Sequence, residues 1–256
     1  MKPSNDYKNS VVKHYLDMIN KNQVPKIISK FHKINKNLED CLRNRYIWCS
    51  SPDKFNDPFD TIYNNKSHIR KEQIKGWEDD YVKETFASLF NDYAKSQRIS
   101  CFSDVENVKA KEILLWSHYA DEHRGICILF DLKKLLNYWN DNYTFLTFHK
   151  VIYSSTFPEV NIKYLGNGKL NASLEFLQTK SINWEYEQEY RVFHSQNKLS
   201  FPKEAIKEII FGCMTPDNDI KKVIEICKYV KKFKKAKKSI TSFKLEYEKI
   251  NPRNYK

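Results

Sequence analysis

The sequence predicts an α+β fold in which a mixed or antiparallel central sheet is flanked by helices. Two observations support this class. The first is that several short segments are rich in β-branched and aromatic residues, as strands are. The second is that these segments alternate with others in which apolar residues recur at helical spacing. No internal repeat, Ser/Gly linker or break in composition divides the 256 residues, so we expect a single domain covering residues 1–256.

Helices are predicted where apolar residues recur every three or four positions. An amphipathic N-terminal helix covers about residues 7–22 and is closed by Pro25. A basic C-terminal helix begins at Asp217, its expected N-cap, and extends to about residue 238, with a last strand after it. Between them, helices are predicted at residues 37–43, 68–95 (one or two helices), 110–122, 132–139 and 173–179.

Strands are predicted where short runs are rich in β-branched and aromatic residues. The run Gly125–Asp131 is apolar at most positions, which is typical of a central strand buried on both faces. In chain order, the predicted strands are residues 26–34, 45–50, 99–103, 125–131, 148–153, 187–194, 206–212 and 243–250.

The charge balance favours a polyanionic partner such as nucleic acid, since 44 Lys and Arg residues face 32 Asp and Glu, a net charge of +12. The alternative is a codon bias towards Lys, Asn and Ile, which produces basic proteins whatever their partner. With five glycines and neither a Walker-type loop nor a G-x-G-x-x-G, the sequence excludes the nucleotide-binding classes that use those loops.

The cysteines and the hydropathy pattern both indicate in which cellular compartment the protein is expected. None of the six cysteines forms a C-x-x-C pair and most lie in apolar runs, which indicates reduced, buried thiols rather than disulfides or a zinc site. The N-terminus is polar and no long apolar run follows. We therefore expect no signal peptide and no membrane association, and a cytoplasmic location.

The first motif that can carry chemistry is residues 51–60, Ser-Pro-Asp-Lys-Phe-Asn-Asp-Pro-Phe-Asp. It follows a predicted strand, and its two prolines fix the backbone, so Asn56 and Asp57 are candidates for ligand contact. The alternative is a stiff turn in which both side chains satisfy backbone groups.

The second motif, residues 114–125, is predicted to be helical. His118 lies one turn after Leu114 and so close to the apolar side, where a neutral imidazole can act as base or donor; Trp116 and Tyr119 lie three apart. The alternative for His118 is a satisfied core residue. His118 and His123 are five apart, a poor spacing for one metal ion on a helix, so we expect no metal.

The third motif, residues 180–193, contains Asn-Trp-Glu-Tyr-Glu-Gln-Glu-Tyr-Arg. If it is extended, period two places Glu185, Glu187, Glu189 and Arg191 on one face. Closely packed carboxylates resist full ionisation, while Arg191 favours the charged form of its nearest neighbour, as acid–base or oxocarbenium chemistry requires. The alternative is a solvated strand edge with one ion pair.

The fourth motif, residues 229–238, is rich in lysine beside aromatic residues and is a candidate for contact with nucleic-acid phosphates. The alternative is a solvated helix end that complements the helix dipole. The candidate residues are Lys231, Lys232, Lys234, Lys235, Lys237 and Lys238.

Together, these motifs resemble a bacterial family known as domain of unknown function 2971. The resemblance covers roughly residues 30–250 and implies a bacterial or phage-associated protein, without conferring an activity. It is carried by Phe55–Asp60, Ser100–Ser103, Leu115–Asp121, Arg124–Gly125, Val151–Tyr153, Lys180, Trp184–Glu187, Glu189, Arg191 and Ile209–Gly212.

A second resemblance is to ADP-ribosyltransferases. It rests on the order of a strand with His32, a strand with Tyr46, the serine-containing strand Ser100–Ser103 and the late Glu-x-Glu, Glu187–Glu189. It implies a fold of that type with NAD as substrate. By this resemblance the serines shape the nicotinamide pocket, and a late glutamate holds the ribose hydroxyl as the glycosidic bond breaks.

Three functions follow from these residues. The first is an enzyme that cleaves NAD or transfers ADP-ribose to a macromolecule, as toxins and phage-defence effectors do. Its catalytic residues would be Glu189, Glu187, His118 and Arg191, with Tyr46 or Trp116 stacking on nicotinamide. The full set of predicted ligand-binding residues is Tyr46, Asn56, Asp57, Ser100, Ser103, Trp116 and Tyr119.

The second function is a nucleic-acid-binding protein or nuclease, in which the lysines hold phosphates and Asp57, Asp60 and Glu187 gather a divalent cation. The third is a non-catalytic sensor or regulatory module with an operon-encoded partner protein. For the site itself we expect Asp57, His118, Glu187, Glu189 and Arg191 to converge on one cleft.

Overall fold

The computed structural model describes residues 14–62, 88, 92–105, 112–143, 146–159, 162–164, 170–172 and 175–255. Its strands are β1 (Ile27–His32), β2 (Tyr46–Trp48), β3 (Arg98–Asp104), β4 (Ile126–Asp131), β5 (Thr147–Lys150), β6 (Ile152–Ser154), β7 (Ile162–Tyr164), β8 (Leu170–Ala172), β9 (Thr179–Ser181), β10 (Glu189–His194), β11 (Lys198–Ser200), β12 (Ile206–Phe211), β13 (Phe233–Lys238) and β14 (Leu245–Lys249).

Residues 14–20 and 92–96 are helical, and within the described residues four further α-helices have defined bounds. They are α1 (Lys36–Asn44), α2 (Glu112–Tyr119), α3 (Leu132–Asn142) and α4 (Asp217–Ile226). Side-chain caps fix two of the helix starts: Asn35 accepts from the Leu38 N–H before α1, and Asp131 accepts from the Lys134 N–H before α3. Short 3-10 helices lie at Pro52–Lys54, Glu175–Leu177, Ile182–Glu187, Lys203–Ala205 and Pro252–Tyr255.

Eight strands form one mixed sheet in the order β14-β13-β12-β4-β1-β3-β10-β5. Its neighbours are antiparallel except for β12 and β13, which run parallel. This confirms the predicted α+β class with a mixed sheet flanked by helices. Two-stranded pairs, β2 with β11, β6 with β9 and β7 with β8, lie beside it.

The two faces of the sheet pack against different helices because side chains alternate along each strand. On β4, Ile126, Ile128 and Phe130 join the main core, which also contains buried residues of α1, α3 and α4. Cys127 faces the other way and packs in a smaller cluster with Trp116 of α2. Ser103, Glu189 and Arg191 belong to this second face, at its β3–β10 end, where Glu189 is paired with Ser103.

The predicted basic helix over residues 217–238 is wrong beyond Ile226. Residues Phe233–Lys238 form β13, in which Phe233 pairs with Ile209 of β12. Phe233 and Ala236 are buried while the lysines between and after them are at least partly exposed. Burial of these apolar residues against the sheet takes precedence over the helix propensity of lysine.

Other boundaries also differ from prediction. The predicted strand 148–153 is divided at Val151 into β5 and β6, which pair with different strands. The helix predicted at residues 173–179 is not seen over its described part, residues 175–179, where a single 3-10 turn, Glu175–Leu177, precedes β9. The N-terminal helix is seen over residues 14–20, and its predicted start lies outside the described residues, as does most of the predicted helix 68–95. None of the helices described here is long and apolar enough to cross a membrane.

Candidate functional site

A sharp turn at Gln188 places two glutamates side by side. Glu187 is the last residue of the 3-10 helix Ile182–Glu187, and Gln188 ends that helix in the left-handed conformation, with φ of 45°. The strand β10 begins at the next residue, Glu189. The predicted start of this strand at Glu187 is therefore wrong. The turn, rather than strand alternation, brings Glu187 and Glu189 to the same place.

Lys180 of β9 lies between these two glutamates. Its Nζ donates to Glu187 Oε2 at 2.6 Å and to Glu189 Oε2 at 2.9 Å. It also lies 4.0 Å from Asp60 Oδ2 and 4.9 Å from the centroid of the Trp184 ring. Because one ammonium group bonds both glutamates, their nearest oxygens are held within two hydrogen-bond lengths of each other.

Arg191 of β10 is completely buried and joins three segments of the chain. Its Nε donates to Glu189 Oε1 at 2.8 Å, Nη1 to the Leu177 carbonyl at 2.8 Å and Nη2 to Asp60 Oδ2 at 2.6 Å. Its guanidinium carbon lies 5.4 Å from the centroid of the Phe55 ring. Arg191 thus attaches the Phe55–Asp60 loop to the sheet.

Two tyrosines complete the arrangement. The Tyr119 hydroxyl, at the end of α2, donates to Glu187 Oε1 at 2.6 Å. The Tyr153 hydroxyl accepts from the Glu189 N–H at 2.8 Å. Burial raises the pKa of Tyr119, and the charge of Glu187 raises it further, so Tyr119 remains a donor at neutral pH. We call Asp60, Tyr119, Lys180, Glu187, Glu189 and Arg191 the charged network.

The network separates the pKa values of its glutamates. Burial raises the pKa of Glu187 to about 6, because the opposing attraction of Lys180 is smaller. Burial acts in the same direction on Glu189, but the charges of Arg191 and Lys180 outweigh it and hold this pKa below its ordinary value. Burial also raises the pKa of Asp60 despite its contact with Arg191. Glu189 is therefore ionised at neutral pH, while Glu187 titrates near pH 6.

The charged network lies at one side of a cleft of about 190 Å³ between β1, β3 and the Phe55–Asp60 loop. Aromatic side chains supply much of its wall, and Trp48, at 46% exposure, is the most accessible of them. Clefts with largely apolar walls and a few convergent polar groups are the usual form of a ligand site; at about 190 Å³ this one is smaller than the roughly 300–1,000 Å³ that drug-sized ligands occupy, and it suits one moiety of a larger ligand. The described lining residues are Ser29, Lys30, Phe31, Trp48, Ser50, Phe55, Asn56, Asp60, Ile99, Cys101, Phe102, Ser103, Tyr119, Lys180, Glu187 and Glu189.

Lys30 is a second lysine of this cleft. Its Nζ donates to the Cys101 carbonyl at 2.8 Å and lies 5.3 Å from the centroid of the Phe102 ring. Burial lowers the pKa of Lys30, and the nearby Glu189 opposes this only in part. By contrast, burial alone would lower the pKa of Lys180, but the charges of Glu189 and Glu187 outweigh it and raise that pKa. Lys180 therefore retains its proton more firmly than Lys30.

The structure brings residues of all three predicted polar–aromatic motifs together. Glu187, Glu189 and Arg191 of the third motif meet Tyr119 of the second. From the first motif, Asp60 joins the network and Asn56 lines the cleft. Burial and the charge of Glu187 raise the pKa of Tyr119, and the side chain of Asn56 opposes a small part of this rise.

Three of the five residues expected to converge on the cleft lie outside its lining: Arg191, which is completely buried, Asp57 and His118. Asp57 accepts from the Phe59 N–H at 2.9 Å through its side chain and from the Asp60 N–H at 3.1 Å through its carbonyl, so it shapes the turn that carries Asp60. His118 is exposed, and its ring centroid lies 5.9 Å from that of Trp184. It therefore packs beside the third motif without reaching the carboxylates.

The two predicted serines lie on opposite faces of β3, because they are three positions apart. Ser103 lines the cleft together with Ile99 and Cys101. Ser100 is buried outside this lining, and its hydroxyl has no hydrogen-bond partner among the described residues. Of the two predicted serines, the cleft therefore contains Ser103.

The aromatic residues expected to stack on a ligand are also placed differently. Tyr46 donates to Asp40 Oδ2 at 2.6 Å and is absent from the cleft lining. Trp116 is buried in the second core cluster, where its ring packs edge-to-face on Phe31. Trp48, two residues after Tyr46 on β2, reaches the cleft instead.

The sequence did not predict the central position of Lys180 or the presence of Lys30 and Trp48 in the cleft. Asp60 was assigned to a possible metal site. Of the three missed residues, only Lys180 could have been found from the sequence, because it begins the third motif. Among the described residues, no group of three or more His, Cys, Asp or Glu side chains is placed to hold a metal ion. The carboxylates of Asp60, Glu187 and Glu189 bond instead to Lys180 and Arg191.

Fold and site define an α+β protein with a buried carboxylate–cation network beside an aromatic cleft. Residues 115–192 match the family described as Protein of unknown function (DUF2971), which confirms the family resemblance over this segment. The segment contains all of the charged network except Asp60. Comparisons with curated proteins and with solved structures gave no match.

Proposed function

We propose that the protein is an enzyme that cleaves the N-glycosidic bond of NAD and passes ADP-ribose to water or to a macromolecule. The observation that carries this proposal is the pair Glu187 and Glu189, which share the ammonium group of Lys180 at the cleft and have pKa values shifted in opposite directions. Carboxylates separated in this way serve as acid–base and charge-stabilising partners in glycoside cleavage.

In this reaction the bond between ribose C1 and the nicotinamide nitrogen breaks. Its electron pair leaves with the nitrogen and neutralises the pyridinium ring, while positive charge develops on the ribose. Glu189, held ionised by Arg191 and Lys180, stabilises that charge through the ribose hydroxyl. Water or the acceptor then bonds to C1 and loses its proton to Glu187.

The charge of the network suits a cationic transition state. Its three carboxylates, Asp60, Glu187 and Glu189, face two firmly protonated cations, Lys180 and Arg191. When all three carboxylates are ionised, these five groups together carry one excess negative charge, which a developing oxocarbenium ion balances. Lys30 is a third cation of the cleft, and burial lowers its pKa.

The direct test is to incubate the purified protein with NAD and to measure free nicotinamide by chromatography, with parallel incubations of RNA and DNA plus magnesium. We expect nicotinamide and intact strands. Shortened strands without nicotinamide would support the nuclease alternative. NAD binding without turnover under any condition would support the sensor alternative.

The pKa of Glu187 predicts the pH profile. Glu187 must be ionised to accept a proton, so kcat/KM for NAD should be constant above about pH 6 and should fall about tenfold per unit below it. Glu187→Gln should remove this inflection from the remaining activity. A parent profile that rises on acidification would contradict the role given to Glu187.

Trp48 provides a test of the cleft wall. Since it is the accessible aromatic residue there, Trp48→Ala should remove stacking on the substrate and raise the KM for NAD about tenfold with little change in kcat. Phe243→Ala is the control, because Phe243 is fully exposed and absent from the cleft lining. Equal KM values for NAD in the two variants would show that Trp48 does not contact the substrate.

A further inference from the structure

A second concave surface lies away from the residues of the cleft. It is a groove of about 570 Å³ formed by α3, the 3-10 helix Lys203–Ala205, the start of β12 and the segment before β13. Five of its nine described lining residues are lysines, contributed by three separate stretches of chain. The lining residues are Asp131, Lys134, Lys203, Glu204, Ile206, Lys207, Tyr229, Lys231 and Lys232.

The acidic residues of this groove already have partners. Asp131 Oδ1 accepts from the Lys134 N–H at 3.1 Å as the cap of α3. Glu204 Oε1 lies 3.9 Å from Lys203 Nζ. Within the part of the chain that the structure describes, Lys207, Lys231 and Lys232 form no ion pair. The groove therefore has a surplus of exposed positive charge without a protein anion opposite it.

The neighbouring strand β13 differs in this respect, although it belongs to the same lysine-rich motif. Lys234 pairs with Glu208 at 3.1 Å, Lys235 with Asp217 at 3.3 Å and Lys237 with Glu248 at 2.5 Å. The structure thus divides the motif into lysines that have an acidic partner within the fold and lysines, namely Lys231, Lys232 and Lys238, that have none among the described residues.

We infer that the groove binds the phosphodiester backbone of a single-stranded nucleic acid. Lysines from separate segments match a ligand that presents successive negative charges, and they contact phosphates without reading sequence. The half-buried Tyr229, fixed by its hydrogen bond to the Leu42 carbonyl at 3.0 Å, adds an aromatic ring on which a base can stack. The concave shape admits a strand rather than the broad surface of a duplex. This inference is independent of the proposed activity on NAD.

The test compares two triple variants of the full chain that lose the same charge. Binding of a fluorescent oligo(dT) is followed by anisotropy over a series of salt concentrations. For the parent, the logarithm of the association constant should fall linearly with the logarithm of salt concentration. In Lys207→Gln/Lys231→Gln/Lys232→Gln the slope should decrease in magnitude by about 2, since each single-strand phosphate contact contributes about 0.7.

The control is Lys234→Gln/Lys235→Gln/Lys237→Gln, which should keep the parent's slope because its lysines bond to acidic residues. Circular dichroism verifies that both variants are folded, and nicotinamide release should be the same in both. Equal slopes in the two variants, or no binding by the parent at low salt, would overturn the inference. If the parent releases no nicotinamide, the proposed function is contradicted, but the inference about the groove is not affected.

Discussion

Glu189→Gln and Glu187→Gln are each expected to reduce nicotinamide release by about a hundredfold or more, with far less change in the affinity for NAD. An amide has nearly the shape of a carboxylate, but it neither stabilises a cationic transition state as a charge does nor accepts a proton at neutral pH. The measurement is kcat for each variant at matched concentrations of folded protein.

Glu185→Gln is the matched control, because Glu185 is exposed on the same 3-10 helix and forms none of the network's hydrogen bonds. It should retain the parent's rate. Glu189 is buried and bonds to two cations, so its variant loses two charged contacts and some stability. Burial raises the pKa of Glu187 to about 6, so neutralising Glu187 costs less than neutralising Glu189, and Glu187 is the better tolerated site. A rate for Glu187→Gln equal to that of Glu185→Gln would refute the catalytic proposal.

Arg191→Met is expected to lower the free energy of unfolding by roughly 3–5 kcal/mol, because it leaves the buried carboxylates of Asp60 and Glu189 with Lys180 as their one remaining cation among the described residues. The measurement is urea denaturation followed by circular dichroism. Adding Asp60→Asn should restore part of the loss, since it removes one of the uncompensated charges.

The control for Arg191 is Arg124→Met. Arg124 forms two ion pairs, with Asp121 and Glu122, but all three side chains are largely exposed. Exposed pairs contribute little, so the urea midpoint should stay close to that of the parent. Equal destabilisation by the two arginine substitutions would mean that the buried network does not hold the Phe55–Asp60 loop to the sheet.

The sequence predicted the sheet best where local composition decides the structure. The apolar run of β4 could only be a buried strand, and it lies at the centre of the observed sheet. β13 was predicted as helix because its lysines favour one, and only pairing of Phe233 with the distant Ile209 reveals a strand. Tertiary pairing of this kind leaves no local signal.

The site was predicted only in part, because its geometry also depends on tertiary contacts that leave no local signal. Glu187, Glu189 and Arg191 stood out by their spacing, but period-two alternation could not foresee the left-handed Gln188. The position of Lys180 between two glutamates depends on β9 lying beside the turn, a long-range arrangement. Trp48 and Tyr46 have similar sequence surroundings, and only their tertiary packing distinguishes them: Tyr46 is buried against Asp40, whereas Trp48 is exposed at the cleft.

The span of the network's hydrogen bonds has a consequence for protein synthesis. The hydrogen-bond partner of Asp60, Arg191, lies 131 residues later in the chain, and that of Tyr119, Glu187, lies 68 residues later. Contacts between distant residues form slowly, and a chain emerges from the ribosome from its N-terminus. A nascent chain that has not yet exposed residues 187–191 therefore has the cleft's N-terminal wall and Asp60 but lacks Glu187, Glu189 and Arg191. The activity proposed above thus requires that synthesis has passed Arg191.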